Sequence, residues 1–253
     1  MASVDVLTMG TGPGLVVIPG TTRSARHYRE LATGLAGTHT LHMIDRRGRG
    51  ASPPQGPDYG LAQEVADTIE VLDETGSRQV FGHSYGGLVA LHVALRRDLE
   101  RVIAYEPAVS IDGSIPTGWL PRYQQLLARG RATTAATHFW GTMGLLPDSA
   151  PLRAFIWANM RFTAEGRELR RVLGTVITEL REVQSSASDG SRYASITAPT
   201  LLLGGGRSPA YLQEVMPLLA DIIPNAKLIM TPEFDHNAPD LGAPKKVADL
   251  IRA

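Results

Sequence analysis

The run Gln79–Ala90 restricts the fold of this chain more than any other stretch of its sequence. A short apolar strand pattern leads into Gly-His-Ser-Tyr-Gly, and a helical pattern begins directly behind Ser84. A turn this sharp holds its central residue in strained backbone geometry, so it needs small neighbours, which Gly82 and Gly86 supply. The run therefore predicts a strand, a tight turn and a helix, with the Ser84 hydroxyl at the tip of a sheet.

The predicted position of Ser84 has a chemical consequence. The serine would lie above the N-terminus of the following helix, which carries partial positive charge. From there its hydroxyl can attack a carbonyl carbon while backbone N–H groups bind the developing oxyanion. A glycine-flanked serine can also belong to an ordinary loop, but the strand before it and the helix after it favour a catalytic nucleophile.

Short apolar runs alternate with helical patterns through most of the chain. The apolar runs fall at 15–18, 41–44, 80–81, 102–105, 200–203 and 228–230. The helical patterns of this part fall at 61–72, 85–95, 209–219 and 244–251. Such alternation predicts an α/β fold with a mostly parallel, twisted sheet flanked by helices. A chain of 253 residues is commonly a single domain of this class.

The strand pattern stops in the middle of the chain and helical patterns replace it. We predict a helical cap at 113–193, inserted between two late strands, with 1–112 and 194–253 forming the core. The predicted cap helices fall at 120–128, 133–143, 152–160 and 164–183. All the tryptophans lie in this segment, at Trp119, Trp140 and Trp157. Because ligands of open α/β sheets bind over the strand ends, we predict these tryptophans in an apolar substrate pocket, with packing inside the cap as the alternative.

Composition narrows the choice of partner and compartment. Lysines and arginines number 25, as do the acidic residues, so a net charge of zero gives no reason to expect nucleic acid or an anionic membrane. The chain has no cysteine, which excludes thiolate catalysis, disulfides and Cys-ligated zinc. Neither a signal-peptide pattern nor an apolar stretch of about 20 residues is visible. We expect a cytoplasmic protein with a small-molecule substrate, and its oligomeric state stays open.

A nucleophilic serine needs a base, and one histidine is well placed for that role. His236 follows the late apolar run 228–230 in a loop, where its imidazole can reach over the strand ends. His138 in the cap is the second candidate. His83 adjoins Ser84 on a strand and is predicted to point to the opposite side.

These features together resemble the α/β-hydrolase superfamily. Gly-His-Ser-Tyr-Gly around Ser84 resembles its nucleophile elbow, and His236 stands in the late position of its base. The sequence Asp-Arg-Arg-Gly-Arg-Gly-Ala-Ser at 45–52 is similar to the turn that such enzymes carry after an early strand. The resemblance implies an α/β-hydrolase fold over nearly the whole chain, and a structural rather than phosphate-binding role for the arginines of this turn.

The acid that orients the imidazole departs from the commonest pattern of these relatives. Most of them carry an aspartate after the strand that corresponds to 200–203, where this chain has Ser208. Some members place the acid at the end of the strand after the nucleophile helix, and Glu106 stands there. A carboxylate buried at a strand end is costly without a partner, and His236 would be that partner. The resemblance therefore implies Glu106 as the acid, with Asp235 as the lesser candidate.

The same resemblance implies the donors of an oxyanion hole. One is the backbone N–H of Tyr85, directly after the nucleophile. The other is the N–H of Thr21 in the loop after the first apolar run. No metal or organic cofactor is implied.

We therefore predict a serine hydrolase that cleaves an ester, lactone or thioester-type bond of a small, largely apolar substrate through a Ser-His-Glu triad. Because fold does not settle reaction, one alternative is a non-hydrolytic enzyme of this fold, such as a lyase, an acyl-eliminating enzyme or a C–C bond hydrolase. A second alternative is an inactive, ligand-binding receptor on the same fold.

Overall fold

The computed structural model describes residues 3–146 and 149–253, and this part of the chain forms one seven-stranded sheet. The strands are β1 (Asp5–Gly10), β2 (Gly14–Ile18), β3 (Thr40–Asp45), β4 (Gln79–His83), β5 (Arg101–Tyr105), β6 (Thr200–Gly205) and β7 (Ala226–Thr231). Their order across the sheet is β1-β3-β2-β4-β5-β6-β7. Strand β1 pairs antiparallel with β3, and the other pairs are parallel. The predicted mostly parallel sheet is confirmed.

Helices cover both faces of this sheet. They are α1 (Arg29–Leu35), α2 (Leu61–Thr75), α3 (Tyr85–Ala94), α9 (Ala210–Ile222) and α10 (Pro244–Arg252). Alternate residues of β2 point to opposite faces, as the pleat requires. Val16 and Ile18 pack in a core with α2, α3 and α9, whereas Leu15 and Val17 pack in a second core with α1 and α10. The carboxyl ends of the parallel strands are left at one edge, where the candidate site lies.

Between β5 and β6, where the cap was predicted, the described residues form five α-helices. They are α4 (Leu120–Ala128), α5 (Ala132–Thr142), α6 (Ala150–Phe162), α7 (Ala164–Val172) and α8 (Thr175–Ser185). The helix predicted at 164–183 is two helices, broken at Gly174, which precedes α8. Glycine is a poor helix former, and the Leu173 carbonyl beside the break accepts the Tyr123 hydroxyl at 2.7 Å.

One strand and one α-helix outside the cap were not predicted. Strand β1 lies at the sheet edge and its residues are partly exposed, so its sequence lacks a clear apolar pattern. Helix α1 has seven residues, too few to be stable alone, and its buried Leu31 and Leu35 pack in one core with Val247 of α10. Among the described residues no helix has the length and apolar character that crossing a membrane requires.

Candidate active site

Ser84 occupies the strained turn between β4 and α3. Its backbone angles are φ 56° and ψ −119°, a region that non-glycine residues seldom adopt. The neighbouring glycines are needed for space. A Cβ atom on Gly82 would lie 2.2 Å from the Gly86 carbonyl oxygen, and one on Gly86 would lie 2.1 Å from the Ile18 carbonyl oxygen. The backbone therefore has the elbow geometry that the sequence predicted.

Backbone strain is concentrated around this turn. Four non-glycine residues of the described chain have positive φ, and three of them are Thr22, Ser84 and Glu106. Thr22 follows the predicted oxyanion donor Thr21, and Glu106 is the predicted acid. Residues in such conformations cluster at functional sites because the surrounding structure must hold them there.

Glu106 and His236 form a buried pair. Glu106 directly follows β5 and is 0% exposed, and its Oε2 lies 2.7 Å from Nδ1 of His236. Its Oε1 accepts the backbone N–H of Gly205 at 2.7 Å. An ionised carboxylate only accepts hydrogen bonds, so Nδ1 carries the imidazole proton and Nε2 has a lone pair with which to accept another. This is the tautomer that a general base requires.

The two lesser candidates are placed differently. The Asp235 carboxylate accepts the backbone N–H of Asn237 at 2.9 Å and so stabilises its own loop. His138 lies on α5, where its Nδ1 is 3.5 Å from the Thr142 hydroxyl, and it is not among the residues that line the cavity.

Ser84 and His236 both line one cavity of about 750 Å³, together with residues of the predicted cap. Thr21 and Tyr85 line the same cavity. No direct hydrogen bond joins the Ser84 and His236 side chains within the described chain. Such bonds are often long before substrate binds, so this geometry is compatible with proton transfer in a complex.

Much of the remaining cavity wall is apolar and comes from the cap, while Arg23, Arg26 and Arg29 on the core side and Glu165 and Glu168 of α7 add charged groups. Lining side chains include Phe139, Trp140, Met143, Ile156, Val172 and Leu180. A cavity of this volume and character suits a small, mainly apolar molecule whose polar group lies at the Ser84 end.

The prediction that all three tryptophans line the pocket is corrected by this wall. Trp140 lines it, but Trp119 and Trp157 do not. Trp119 packs within the cap, with its ring centroid 5.0 Å from that of Phe139, and its indole N–H donates to the Pro116 carbonyl at 2.8 Å. Trp157 is 53% exposed on α6. Spacing in sequence did not reveal which helix faces turn towards the cavity.

The backbone around Thr21 and Tyr85 is suited to binding an oxyanion. Tyr85 is the first residue of α3, so its N–H has no carbonyl partner in the helix ladder. The loop that carries Thr21 passes close to the serine, because a Cβ atom on Gly20 would lie 3.3 Å from Cβ of Ser84.

His83 links this loop to the His236 loop, a role that the sequence did not reveal. The His236 carbonyl can only accept, so Nε2–H of His83 donates to it at 2.8 Å. Nδ1 then accepts the Tyr28 hydroxyl at 2.7 Å, and the Tyr28 oxygen accepts the Gly20 N–H at 2.9 Å. Complete burial, followed by the charges of His236 and Arg23, holds the pKa of His83 well below its usual value, so the ring is neutral.

A second link joins the same two loops. Arg23 forms an ion pair through Nε with Oδ2 of Asp240, whose side chain is almost fully buried. Burial raises the pKa of Asp240, and the charges of Arg23 and His236 lower it in part. No group of three or more His, Asp or Glu side chains in the described chain is arranged to hold a metal ion.

Comparison with known proteins places this chain in a family. The family model described as the alpha/beta hydrolase family matches residues 15–250. This chain belongs to the alpha/beta hydrolase family. A crystal structure of an alpha/beta hydrolase from Sphaerobacter thermophilus has 30% sequence identity and a TM-score of 0.80, covering 98% of this chain and 96% of that one. The resemblance and the fold predicted from sequence are thus confirmed.

Two curated proteins that are similar to this chain have different named activities. The 2-heptyl-3-hydroxy-4-quinolone dioxygenase AqdC2 of Rhodococcus erythropolis is 33% identical over 126 residues, which span 48% of this chain and 46% of that protein. The match thus spans about half the length of that relative. The pimeloyl-[acyl-carrier protein] methyl ester esterase of Nitrosomonas europaea is 24% identical over 264 residues, with both chains fully covered.

Proposed function

We propose that this alpha/beta hydrolase is a serine hydrolase that cleaves an ester, lactone or thioester-type bond of a small, largely apolar substrate. The observation that carries the proposal is the buried Glu106–His236 pair, whose His236 lines the same cavity as the strained Ser84. A buried carboxylate against one imidazole nitrogen leaves the other nitrogen basic beside a serine held at a helix N-terminus.

The proposed reaction has two stages. Ser84 Oγ attacks the carbonyl carbon while Nε2 of His236 takes the hydroxyl proton, and Glu106 stabilises the imidazolium. The N–H groups of Thr21 and Tyr85 hold the negative oxygen of the tetrahedral intermediate. His236 then gives its proton to the leaving alcohol or thiol. In the second stage His236 deprotonates a water, which attacks the acyl-enzyme, and Ser84 regains its proton as the acid product leaves.

Relatives support the ester-acting class. The esterase of Nitrosomonas europaea matches this chain over its full length, and the family is one of hydrolases. The apolar cavity wall supports a substrate whose acyl or alcohol part buries hydrocarbon beneath the cap.

A second candidate is a non-hydrolytic reaction in the same cavity. The match to AqdC2, which is named a dioxygenase, favours this alternative. In such an enzyme His236 would remove a proton from the substrate without an acyl-enzyme on Ser84. An inactive receptor is less well supported, since a receptor has no use for a buried acid–imidazole pair that is costly to desolvate.

A panel of p-nitrophenyl esters of increasing chain length tests the proposal. We expect turnover by the purified protein, and a loss of more than about 1,000-fold in kcat/KM for Ser84→Ala. Thr142→Ala, which removes an exposed hydroxyl that does not line the cavity, is the control and should leave kcat/KM unchanged. Ester turnover that survives Ser84→Ala within tenfold would refute the serine mechanism and favour the non-hydrolytic candidate.

A further inference from the structure

Three charged side chains are fully buried where the cap meets the loop of Thr21. Arg46 and Arg49 come from the turn at 45–52, and Glu179 comes from cap helix α8; each is at most 1% exposed. Taking charges out of water costs several kcal/mol per ion unless they are well paired. Because burying these three charges costs free energy, we expect them to do more than fill space. The contacts of Arg46 indicate what that role is.

Every nitrogen of the Arg46 guanidinium is engaged. Nη1 donates to Oε1 of Glu64 at 3.0 Å and to Oε1 of Glu179 at 3.1 Å. Nε donates to the Pro19 carbonyl at 2.8 Å, and Nη2 donates to the Gly20 carbonyl at 3.0 Å. The planar fork of arginine can hold all four acceptors at once, whereas the ammonium group of a lysine cannot.

The bond to the Gly20 carbonyl bears directly on the proposed oxyanion hole. The carbonyl of Gly20 and the N–H of Thr21 belong to one planar, trans peptide unit, so they point in opposite directions. By fixing the carbonyl, Arg46 fixes the direction in which the Thr21 N–H points. The same guanidinium lies 5.0 Å from the ring centroid of Tyr85, the residue that carries the other proposed donor.

Glu179 connects this arrangement to the cap. Its Oε1 accepts from Arg46, and it also pairs with Nη2 of Arg49, whose Nη1 donates to the Arg47 carbonyl at 2.9 Å. Burial alone would raise the pKa of Glu179, but the charges of Arg46 and Arg49 outweigh it and lower the pKa, so the group is ionised. The side chain of Thr21 contributes to the same lowering. The position of α8 is thus tied to the peptide that carries the Thr21 N–H.

We propose that Arg46 is a positioning residue for the oxyanion hole, and that Glu179 makes the hole depend on the seating of cap helix α8. The inference rests on the proposed serine hydrolase function. It predicts that loss of these contacts weakens binding of the transition state while leaving binding of the ground-state substrate nearly intact.

Arg46→Lys and Glu179→Gln are the test variants, and each has a matched control. Arg47→Lys alters the adjacent arginine, whose Nε and Nη2 donate to Asp67 at 2.7 and 2.9 Å without touching the loop. Glu182→Gln alters another carboxylate of α8, which accepts the Leu61 N–H at 2.8 Å. Each protein is compared with wild type by thermal unfolding, by kcat and KM on a p-nitrophenyl ester, and by the inhibition constant of an alkyl trifluoromethyl ketone.

For Arg46→Lys we expect kcat to fall about 10- to 100-fold with KM within threefold, part of the 100- to 1,000-fold effect of losing one oxyanion donor. The inhibition constant of the trifluoromethyl ketone should rise by a similar factor, because this compound forms an oxyanion adduct. Glu179→Gln should show the same pattern at smaller size, and both controls should stay within twofold. If Arg46→Lys does not fold, the inference is tested by comparing Glu179→Gln with wild type and with Glu182→Gln.

Two results would overturn the inference. One is a variant that loses thermal stability but keeps wild-type kcat and ketone inhibition, which would make the cluster purely structural. The other is an equal loss of kcat in Arg47→Lys. Failure of the proposed function itself is distinguishable, because the wild-type protein would then turn over no ester or would do so without Ser84.

Discussion

Replacing Glu106 by glutamine tests the acid assignment with little change in shape. In the native site Oε2 accepts from His236 Nδ1 and Oε1 accepts from the Gly205 N–H, both at 2.7 Å. Glutamine offers only one acceptor oxygen to these two donors, and its NH₂ group must face the other. With the oxygen on Gly205, the amide donates to Nδ1 of His236 and stabilises the tautomer whose Nε2 carries the proton. That tautomer cannot accept the proton of Ser84.

The expected loss of kcat follows from the two orientations that the amide group of the glutamine can take. In the first, the base is in the wrong tautomer, an effect that costs about 10,000-fold in kcat in serine enzymes. Such a factor is about 5 kcal/mol of activation free energy. In the second, the amide meets the Gly205 N–H, and a buried donor left unpaired costs about 1–3 kcal/mol of folding stability. We therefore expect kcat to fall by about 1,000- to 10,000-fold, with a modest loss of stability.

The assay is kcat on a p-nitrophenyl ester, with urea unfolding to confirm that each variant is folded. Asp235→Asn is the matched control, because its carboxylate caps the neighbouring Asn237 N–H and does not contact the imidazole. We expect Asp235→Asn to stay within about threefold of wild type. A near-normal Glu106→Gln enzyme beside an inactive Asp235→Asn enzyme would refute the assignment.

Three further predictions concern the surroundings of the site. Tyr28→Phe leaves the buried Gly20 N–H and His83 Nδ1 without partners, so urea unfolding should show a loss of about 1–3 kcal/mol; a loss below about 0.5 kcal/mol would contradict the hydrogen-bond chain. Trp140→Ala should lower kcat/KM for long-chain esters about tenfold while Trp157→Ala leaves it unchanged, and equal effects would place both rings in the same environment. Burial, followed by the charges of Arg192 and Arg96, lowers the pKa of His92 from 6.5 to about 4. Because the unfolded chain then binds the proton more readily than the folded protein, the free energy of unfolding decreases as the pH drops below 6.5. Between pH 8 and pH 5 the free energy of unfolding should decrease by about 2 kcal/mol through His92, and urea unfolding of His92→Gln should not show this decrease. The same dependence on pH in both proteins would refute the prediction.

Local sequence patterns predicted most of the strands and helices of the fold. The turn around Ser84 could be predicted because a strand pattern, a serine between glycines and a helical pattern follow one another without a gap. The cap helix at Leu120–Ala128 was predicted with the same ends, since its apolar residues recur at helical spacing. The elements that were missed, β1 and α1, obtain their stability from neighbours rather than from their own sequences.

The candidate site was predicted unevenly, for a physical reason. The resemblance to the α/β-hydrolases implied Glu106 as the partner of His236, and the cost of burying a lone carboxylate supported it. The structure brings the two side chains together, and their catalytic roles stay predictions. Contacts between distant segments, such as Arg46 with Glu179 or His83 with the His236 carbonyl, follow from three-dimensional packing, which one sequence does not reveal. The cavity-facing tryptophan could not be chosen from the three for the same reason.

Covalent labelling reports whether Ser84 is a nucleophile that His236 activates. Intact-protein and peptide mass spectrometry after treatment with a fluorophosphonate should show one adduct, on the peptide that contains Ser84. His236→Ala should slow the labelling by at least about 100-fold, the effect expected from loss of a general base. An adduct on another residue would rule out Ser84 as the nucleophile, and labelling of Ser84 at the wild-type rate without His236 would rule out His236 as its base.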